Sequence, residues 1–183
     1  AIAVMARKGE GKSTTAAALY NAGYSMMSDD IMALSMVGRR AVAQPGFPHA
    51  KLWAESARAL VEDGEELPQL APDLDKRARA ITSRYHETPL PLRAVLVLET
   101  AEEVGLRVVT GYEALQALLP HWYGALFNGQ LLGILGRERH FAETTELVHA
   151  TRTYRLLRPW SLERLPELVV GVTRALFGAA AEV

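Results

Sequence analysis

The sequence predicts an α/β fold, and three observations carry that expectation. An apolar run, Ala1-Ile2-Ala3-Val4-Met5, leads through a glycine-bearing loop into the helix-forming run Thr15-Ala16-Ala17-Ala18-Leu19. A second apolar stretch, Tyr24 to Ser28, follows that helix, so the first thirty residues read as strand, loop, helix, strand. Far downstream, Leu92-Arg93-Ala94-Val95-Leu96-Val97-Leu98 is the strongest strand signal of the second half.

The elements follow in order. Residues 1–5 are apolar on both faces, as a parallel strand covered by helices requires. Such a strand needs neighbours, so a segment preceding residue 1 is expected. Lys12 to Asn21 is helical, with Gly23 just past its end as a stop. Tyr24–Ser28 is read as a strand ending in Asp29-Asp30. Ile31–Met36 and Arg40–Ala43 are short strands around Gly38, and Gln44-Pro45-Gly46-Phe47-Pro48 is a rigid loop. Ala50–Trp53 is a short strand, and Glu55–Glu62 has helical apolar spacing in Ala57, Leu60 and Val61. The acidic, proline-containing stretch Glu62–Pro72 is a surface connection, and the charged stretch Asp73–Ile81 is read as a helical turn. Pro89 and Pro91 break the chain before the strand at Leu92–Leu98. Leu106–Val109 is a strand, Tyr112–Leu119 a helix capped by Thr110 or Gly111, and Pro120 closes it. Trp122–Leu135 and Phe141–Ala150 are read as helices and Thr153–Leu157 as a late strand. A last helix, capped by Ser161 with Pro166 in its first turn, runs to about Phe177, before a small-residue tail from Gly178.

Bulk properties narrow the class. A length of 183 residues suits one domain, and 49% hydrophobic with 22% charged residues is ordinary globular composition. A net charge of −1 gives no electrostatic case for nucleic acid or an anionic membrane as partner. No apolar run approaches the ~20 residues of a membrane span, and no signal peptide is visible. The chain has no cysteine, which excludes disulfides and thiolate metal sites and fits a reducing cytoplasm. The five histidines show no metal-ligand spacing. There is no serine nucleophile elbow, and Trp53, Trp122 and Trp160 are most simply core or rim packing. Arg93, inside a strand, could pair with a carboxylate or lie at an edge.

The chemistry concentrates near the N-terminus. Ala6-Arg7-Lys8-Gly9-Glu10-Gly11-Lys12-Ser13-Thr14, between a strand and a helix, has the pattern of a phosphate-binding loop, with Ala6 where that pattern has glycine. Backbone N–H groups of Gly9, Glu10, Gly11, Lys12, Ser13 and Thr14 would converge on one anion at a helix N-terminus. Lys12 would add a point charge at the outer phosphates, and the Ser13 hydroxyl would ligate Mg²⁺. A turn that merely carries Gly-Lys-Ser is the plainer alternative. Asp29-Asp30 stand sixteen and seventeen residues after Ser13. Asp30 could share one Mg²⁺ with Ser13, since Mg²⁺ takes one or two carboxylates plus phosphate oxygens and water. Asp29 would then be free to accept the proton of an attacking hydroxyl. Arg137, Arg139 and His140 form a small basic cluster that could touch a phosphate or could be a solvated face.

Gly9-x-Gly11-Lys12-Ser13, a helix, Asn21-Ala22-Gly23-Tyr24 and Ser28-Asp29-Asp30 together resemble the core of the HPr kinase/phosphorylase family. The likeness extends to shorter HPr-kinase-like proteins, among them tailoring kinases encoded with lasso peptides. In these a Gly-x-Gly-Lys-Ser-Thr (residues 9–14), a Ser-Asp-Asp (28–30), a Pro-Gly-aromatic-Pro loop (45–48) and a Leu-Trp (52–53) recur. The likeness is specific over residues 1–53 and looser from there to about Pro159. It implies a P-loop kinase core related to phosphoenolpyruvate carboxykinase, a mixed sheet with flanking helices, in one domain over 1–183 with a C-terminal helix at 160–178. It implies ATP on Lys12 and the loop amides, Mg²⁺ on Ser13 and Asp30, and Asp29 as general base. It places Pro45, Gly46 and Phe47 on the acceptor side and makes a serine of a peptide or protein the acceptor. The arginine-bearing C-terminal motif linked to phosphorolysis in that family has no match in this reading. A small-molecule kinase and a nucleotide-binding regulatory module without transferase activity are the rival readings. The choice between ATP, GTP and pyrophosphate, and the oligomeric state, are left open.

Overall fold

The computed structural model describes residues 1–121 and 136–178. The helix expected over Trp122–Leu135 and the end of the tail lie outside them. Three sheets are present among the described residues. The central one holds β1 (Ile2–Met5), β8 (Ala94–Thr100), β10 (Arg152–Arg158) and β9 (Gly105–Val109), in the order β1-β8-β10-β9. β1, β8 and β10 run parallel and β9 antiparallel, so the sheet is mixed. A hairpin of β2 (Leu34–Val37) and β3 (Arg40–Ala43) pairs with β7 (Leu90–Pro91). The third sheet places β6 (Leu74–Ala80) between β4 (His49–Trp53) and β5 (Gln69–Ala71).

β8 organises the core because its residues are apolar on both faces. Ala94, Leu96 and Leu98 pack with Leu19 of α1 (Lys12–Asn21) and with Leu168, Val172 and Leu176 of α5 (Leu165–Phe177). On the other face Val95 and Val97 meet Ala3, Ala41, Leu92 and Ala117 and Leu118 of α3 (Gly111–Leu118), with Leu147 and Val148 of α4 (Arg137–Ala150) beside them. Burying a Leu or Val side chain stabilises by roughly 1.5–3 kcal/mol, and β8 buries five apolar side chains, Ala94 to Leu98, over its two faces. α1 is enclosed twice. Its Ala17 meets Leu52 of β4 and Ala57 of α2 (Ala54–Leu60), on the side away from the central sheet. An alanine-rich helix suits that position, since small side chains let three layers approach.

Five expectations are corrected. Tyr24–Ser28 is not a strand; it makes one isolated bridge, Met26 to Tyr85, with Met26 N–H on the Arg84 carbonyl and His86 N–H on the Met26 carbonyl. Asp73–Ile81 is not a helical turn but contains β6, paired on both edges. Its charged residues Lys76, Arg77 and Arg79 are half-buried on a strand of a small sheet, and Asp75 is exposed. Ser161 does not cap the last helix, which begins at Leu165 after Arg164. α4 also begins at Arg137, four residues before the expected start. Arg93 is not inside a strand but exposed just before β8, with no ion pair among the described residues; its guanidinium lies 5.6 Å from the Phe177 ring.

Candidate active site

The loop after β1 is shaped by its glycines. Gly9 and Gly11 have φ of 91° and 87°, a region costly for other residues. Glu10 closes the loop on itself: its N–H donates to the Arg7 carbonyl at 3.2 Å, and its Oε2 accepts the Arg7 N–H at 2.8 Å. Glu10 thus contributes its carboxylate to loop geometry. Gly11 stands at the N-cap of α1 with no side-chain cap, so the first-turn amides at Lys12, Ser13 and Thr14 have no intrahelical acceptor and suit an anion. The Thr14 hydroxyl points elsewhere, sharing a 2.9 Å hydrogen bond with Ser56 of α2, so Thr14 can serve a ligand only through its backbone. The Ser13 hydroxyl makes no hydrogen bond among the described residues.

The segment after α1 brings Asp29 and Asp30 to this loop. Lys12 Nζ donates to the Asp29 carbonyl oxygen at 2.7 Å and lies 3.5 Å from Asp29 Oδ1 and 3.8 Å from Asp30 Oδ1. The two carboxylates differ in environment. The Asp29 side chain is 3% exposed; its Oδ2 accepts the Lys51 backbone N–H at 2.8 Å, while the buried Oδ1 has no hydrogen-bond partner among the described residues. The Asp30 side chain is 42% exposed, and its Oδ2 accepts from Lys51 Nζ at 2.5 Å. Burial acts to raise the Asp30 pKa. The Lys51 hydrogen bond and the charges of Lys12, Lys51 and Lys76 outweigh it and hold the carboxyl below its usual value. Lys51 is correspondingly raised, chiefly by its hydrogen bond to Asp30. The exposed Asp30 carboxylate and the unengaged Ser13 hydroxyl are oxygen donors of the kind a hard divalent cation takes.

Two cations at the site escaped the sequence reading. Lys51 was visible only as a strand residue. It alternates with Ala50 and Leu52, which are buried against α1, and so faces the aspartates. Arg158, at the C-terminal end of β10, is 5% exposed and has no carboxylate partner among the described residues. It lies behind the loop: a Cβ on Gly11 would come within 2.7 Å of Arg158 Nη1. Nη1 reaches the Thr15 hydroxyl at 3.4 Å, and the guanidinium lies 5.0 Å from the Trp160 ring. Burial lowers its pKa. Its signal in the sequence is position, since ligands gather at the C-terminal ends of parallel strands. Gly11→Ala is therefore expected to lose about 3 kcal/mol, from the left-handed backbone plus the clash, against about 1–2 kcal/mol for Gly9→Ala, where nothing stands within 4 Å. Urea denaturation of the two variants measures this; equal losses would remove Arg158 from the loop's support.

His121, in a 3-10 turn (Leu119–His121) after α3, lies beside the Ala6 backbone, Glu10 and Arg7. Burial lowers its pKa below 6.5, the Arg7 charge adds to that, and Glu10 and the Ala6 backbone oppose it. A histidine with a lowered folded pKa binds fewer protons folded than unfolded. Its contribution is full above about pH 6.5 and is lost as the pH falls through the folded value. His121→Gln should flatten the decline of melting temperature between about pH 7 and about pH 5. An unchanged slope would show that other groups set it.

The residues expected on the acceptor side are only partly gathered. Pro45–Phe47 lie against the aspartate segment: Gly46 N–H donates to the Met27 carbonyl at 2.8 Å, and Tyr85 Oη donates to the Gly46 carbonyl. A Cβ on Gly46 would strike Ser28 Oγ, so glycine is what permits this approach. Phe47 is 85% exposed, and Ile31, whose carbonyl lies near Gly46, is half-exposed. The basic cluster is split. Arg137 and Arg139 are exposed on the first turn of α4, Arg139 pairing with Glu143 at 2.7 Å, while His140 is buried with its Nε2 3.3 Å from the Leu119 carbonyl oxygen. A cleft of about 1500 Å³ runs past Gly9, Lys12, Ser13, Asp29, Asp30 and Lys51. That exceeds the volume of an ordinary small-molecule site.

No family model and no curated protein matches the sequence. Among solved structures, the chain is similar to the Hpr(Ser) kinase/phosphatase from Coxiella burnetii. The match has a TM-score of 0.49 and 9% identity, and it covers 95% of this chain and 86% of that one. At this distance it assigns neither activity nor substrate. No described helix is long and apolar enough to cross a membrane.

Proposed function

We propose that this protein is an ATP- and Mg²⁺-dependent phosphotransferase that phosphorylates a hydroxyl group, most simply a serine of a peptide or protein. The observation that carries the reading is the Lys12 ammonium group held between a phosphate-type loop and two consecutive aspartates of unlike exposure. Loop amides and Lys12 bind the phosphates. Ser13 and Asp30 are the residues that would hold Mg²⁺, which supplies charge neutralisation on the phosphoryl group when bound. Asp29 Oδ1, buried at 3.5 Å from the Lys12 ammonium group and without a hydrogen bond, would take the proton of the attacking hydroxyl once Lys12 moves to the phosphates and opens it to the acceptor. Buried Arg158 adds positive charge behind the loop without entering the cleft. The exposed Phe47 on a rigid loop gives the acceptor an apolar rim.

The sequence resemblance to HPr-kinase-like tailoring enzymes makes a lasso peptide precursor ending in serine the first acceptor to try. The test is incubation with Mg-ATP and a panel of serine peptides, free serine and sugars, read by mass spectrometry for an added phosphoryl group. A phosphopeptide supports the reading. Phosphorylation of only small molecules moves the acceptor class. Mg-ATP binding with no product across the panel favours a regulatory nucleotide-binding module.

A further inference from the structure

Lys51 does not merely neighbour the aspartates; it occupies the exposed oxygen of one and braces the other. Its ammonium group sits on Asp30 Oδ2 at 2.5 Å, and its backbone N–H on Asp29 Oδ2 at 2.8 Å. The side chain is 42% exposed, so it can leave without unpacking β4, whose inward residues are Ala50 and Leu52. Three cations face Asp30: Lys12 from α1, Lys51 from β4 and Lys76 from β6. With Asp29 and Asp30 counted, these five side chains sum to +1. A divalent cation arriving alone meets a cluster that is already positive, on a carboxylate that already has its counter-ion.

We infer that Lys51 is the resident counter-ion of Asp30 and that the metal enters by displacing it. This rests on the assignment of Asp30 as a metal ligand above. The backbone contact to Asp29 does not involve the ammonium group, so displacement leaves the Asp29 carboxylate anchored while Asp30 changes partner. The freed ammonium stays on β4 at the lip of the cleft, where it can meet an anionic group of the bound substrates. Two consequences follow. Metal alone binds weakly, because it must evict a cation. Nucleotide phosphates strengthen it, because they offset the accumulated positive charge and take Lys12 off the aspartates.

The probe is Mn²⁺, titrated against the protein while the signal of the free hydrated ion is followed by electron paramagnetic resonance, without nucleotide. Lys51→Met should bind Mn²⁺ roughly two- to fivefold tighter than wild type, the range expected for losing one partly exposed ion pair. Lys51→Gln serves the same end if the methionine variant does not fold, and Lys51→Arg, which keeps the cation, should bind no tighter than wild type. Lys76→Met separates displacement from a diffuse charge effect, since Lys76 influences Asp30 without an ion-pair contact to it. Its gain should be clearly smaller. An unchanged or weakened affinity in Lys51→Met, or an equal gain in Lys76→Met, overturns the inference. Asp30→Asn tells the two readings apart. If it binds Mn²⁺ as wild type does, the metal assignment itself fails; if it loses binding while Lys51→Met gains nothing, only the role of Lys51 fails.

Discussion

Lys12→Ala should lower phosphoryl transfer by roughly two to three orders of magnitude, the usual loss when one preorganised electrostatic donor is removed from the reacting group. The ammonium group makes one 2.7 Å hydrogen bond to the Asp29 carbonyl and two longer contacts to the carboxylates, all of which it can trade for phosphate oxygens. Its removal also leaves the Asp29 carboxylate, 3% exposed, with the Lys51 N–H as its remaining hydrogen bond. A buried charge stripped of a partner destabilises by several kcal/mol at most, and some of that is recovered by water entering the space of the lost side chain. The variant should therefore melt lower and gain less thermal stability from added nucleotide. Lys12→Arg is not a rescue, because a planar guanidinium replaces a compact point charge in a cramped loop. The decisive measurement is turnover under single-turnover conditions at saturating nucleotide, beside melting curves with and without nucleotide. Full turnover in folded Lys12→Ala would remove the loop lysine from the chemistry.

What could be read in the sequence was whatever depends on short covalent spacing. The loop and α1 follow from Gly9, Gly11 and the alanine-rich run within one turn of each other, and α1 has the expected bounds. β8 was legible because an apolar stretch buried on both faces looks the same in any context. Asp29-Asp30 were legible as a pair, but the reason they face the loop was not. They are delivered by an irregular segment with one isolated bridge, not by a strand. β6 was misread because Asp75, Lys76, Arg77 and Arg79 give no alternating apolar signal; its partners β4 and β5 make it a strand. Arg158 touches Thr15 across 143 residues, a contact that needs the β8–β10 pairing before it can be seen. Lys51 shows the same limit at shorter range. The strand expected over Ala50–Trp53 implies only that Lys51 faces away from Leu52; which group waits on that side is a tertiary fact.

Asp29→Asn should reduce transfer by about two to four orders of magnitude, the range of a lost general base, while nucleotide affinity changes by no more than about threefold. The substitution is nearly isosteric, and the amide oxygen can keep the 2.8 Å hydrogen bond from the Lys51 N–H. The change falls on the other atom. At the buried Oδ1 position, an NH₂ group would offer a proton instead of a lone pair, so the side chain could not accept the proton of the hydroxyl even after Lys12 moves away. It would also sit 3.5 Å from the Lys12 ammonium group, donor against donor, which biases Lys12 toward the phosphates. Phosphate binding should therefore be kept or slightly improved as transfer falls. Asp30→Asn should show the opposite pattern, with weakened Mg-nucleotide binding and transfer recovered in part at high Mg²⁺. The comparison requires both affinities and single-turnover rates. If Asp29→Asn weakens nucleotide binding and transfer equally, its carboxylate positions Lys12 and β4; if it retains full transfer, the proton leaves the acceptor by another route.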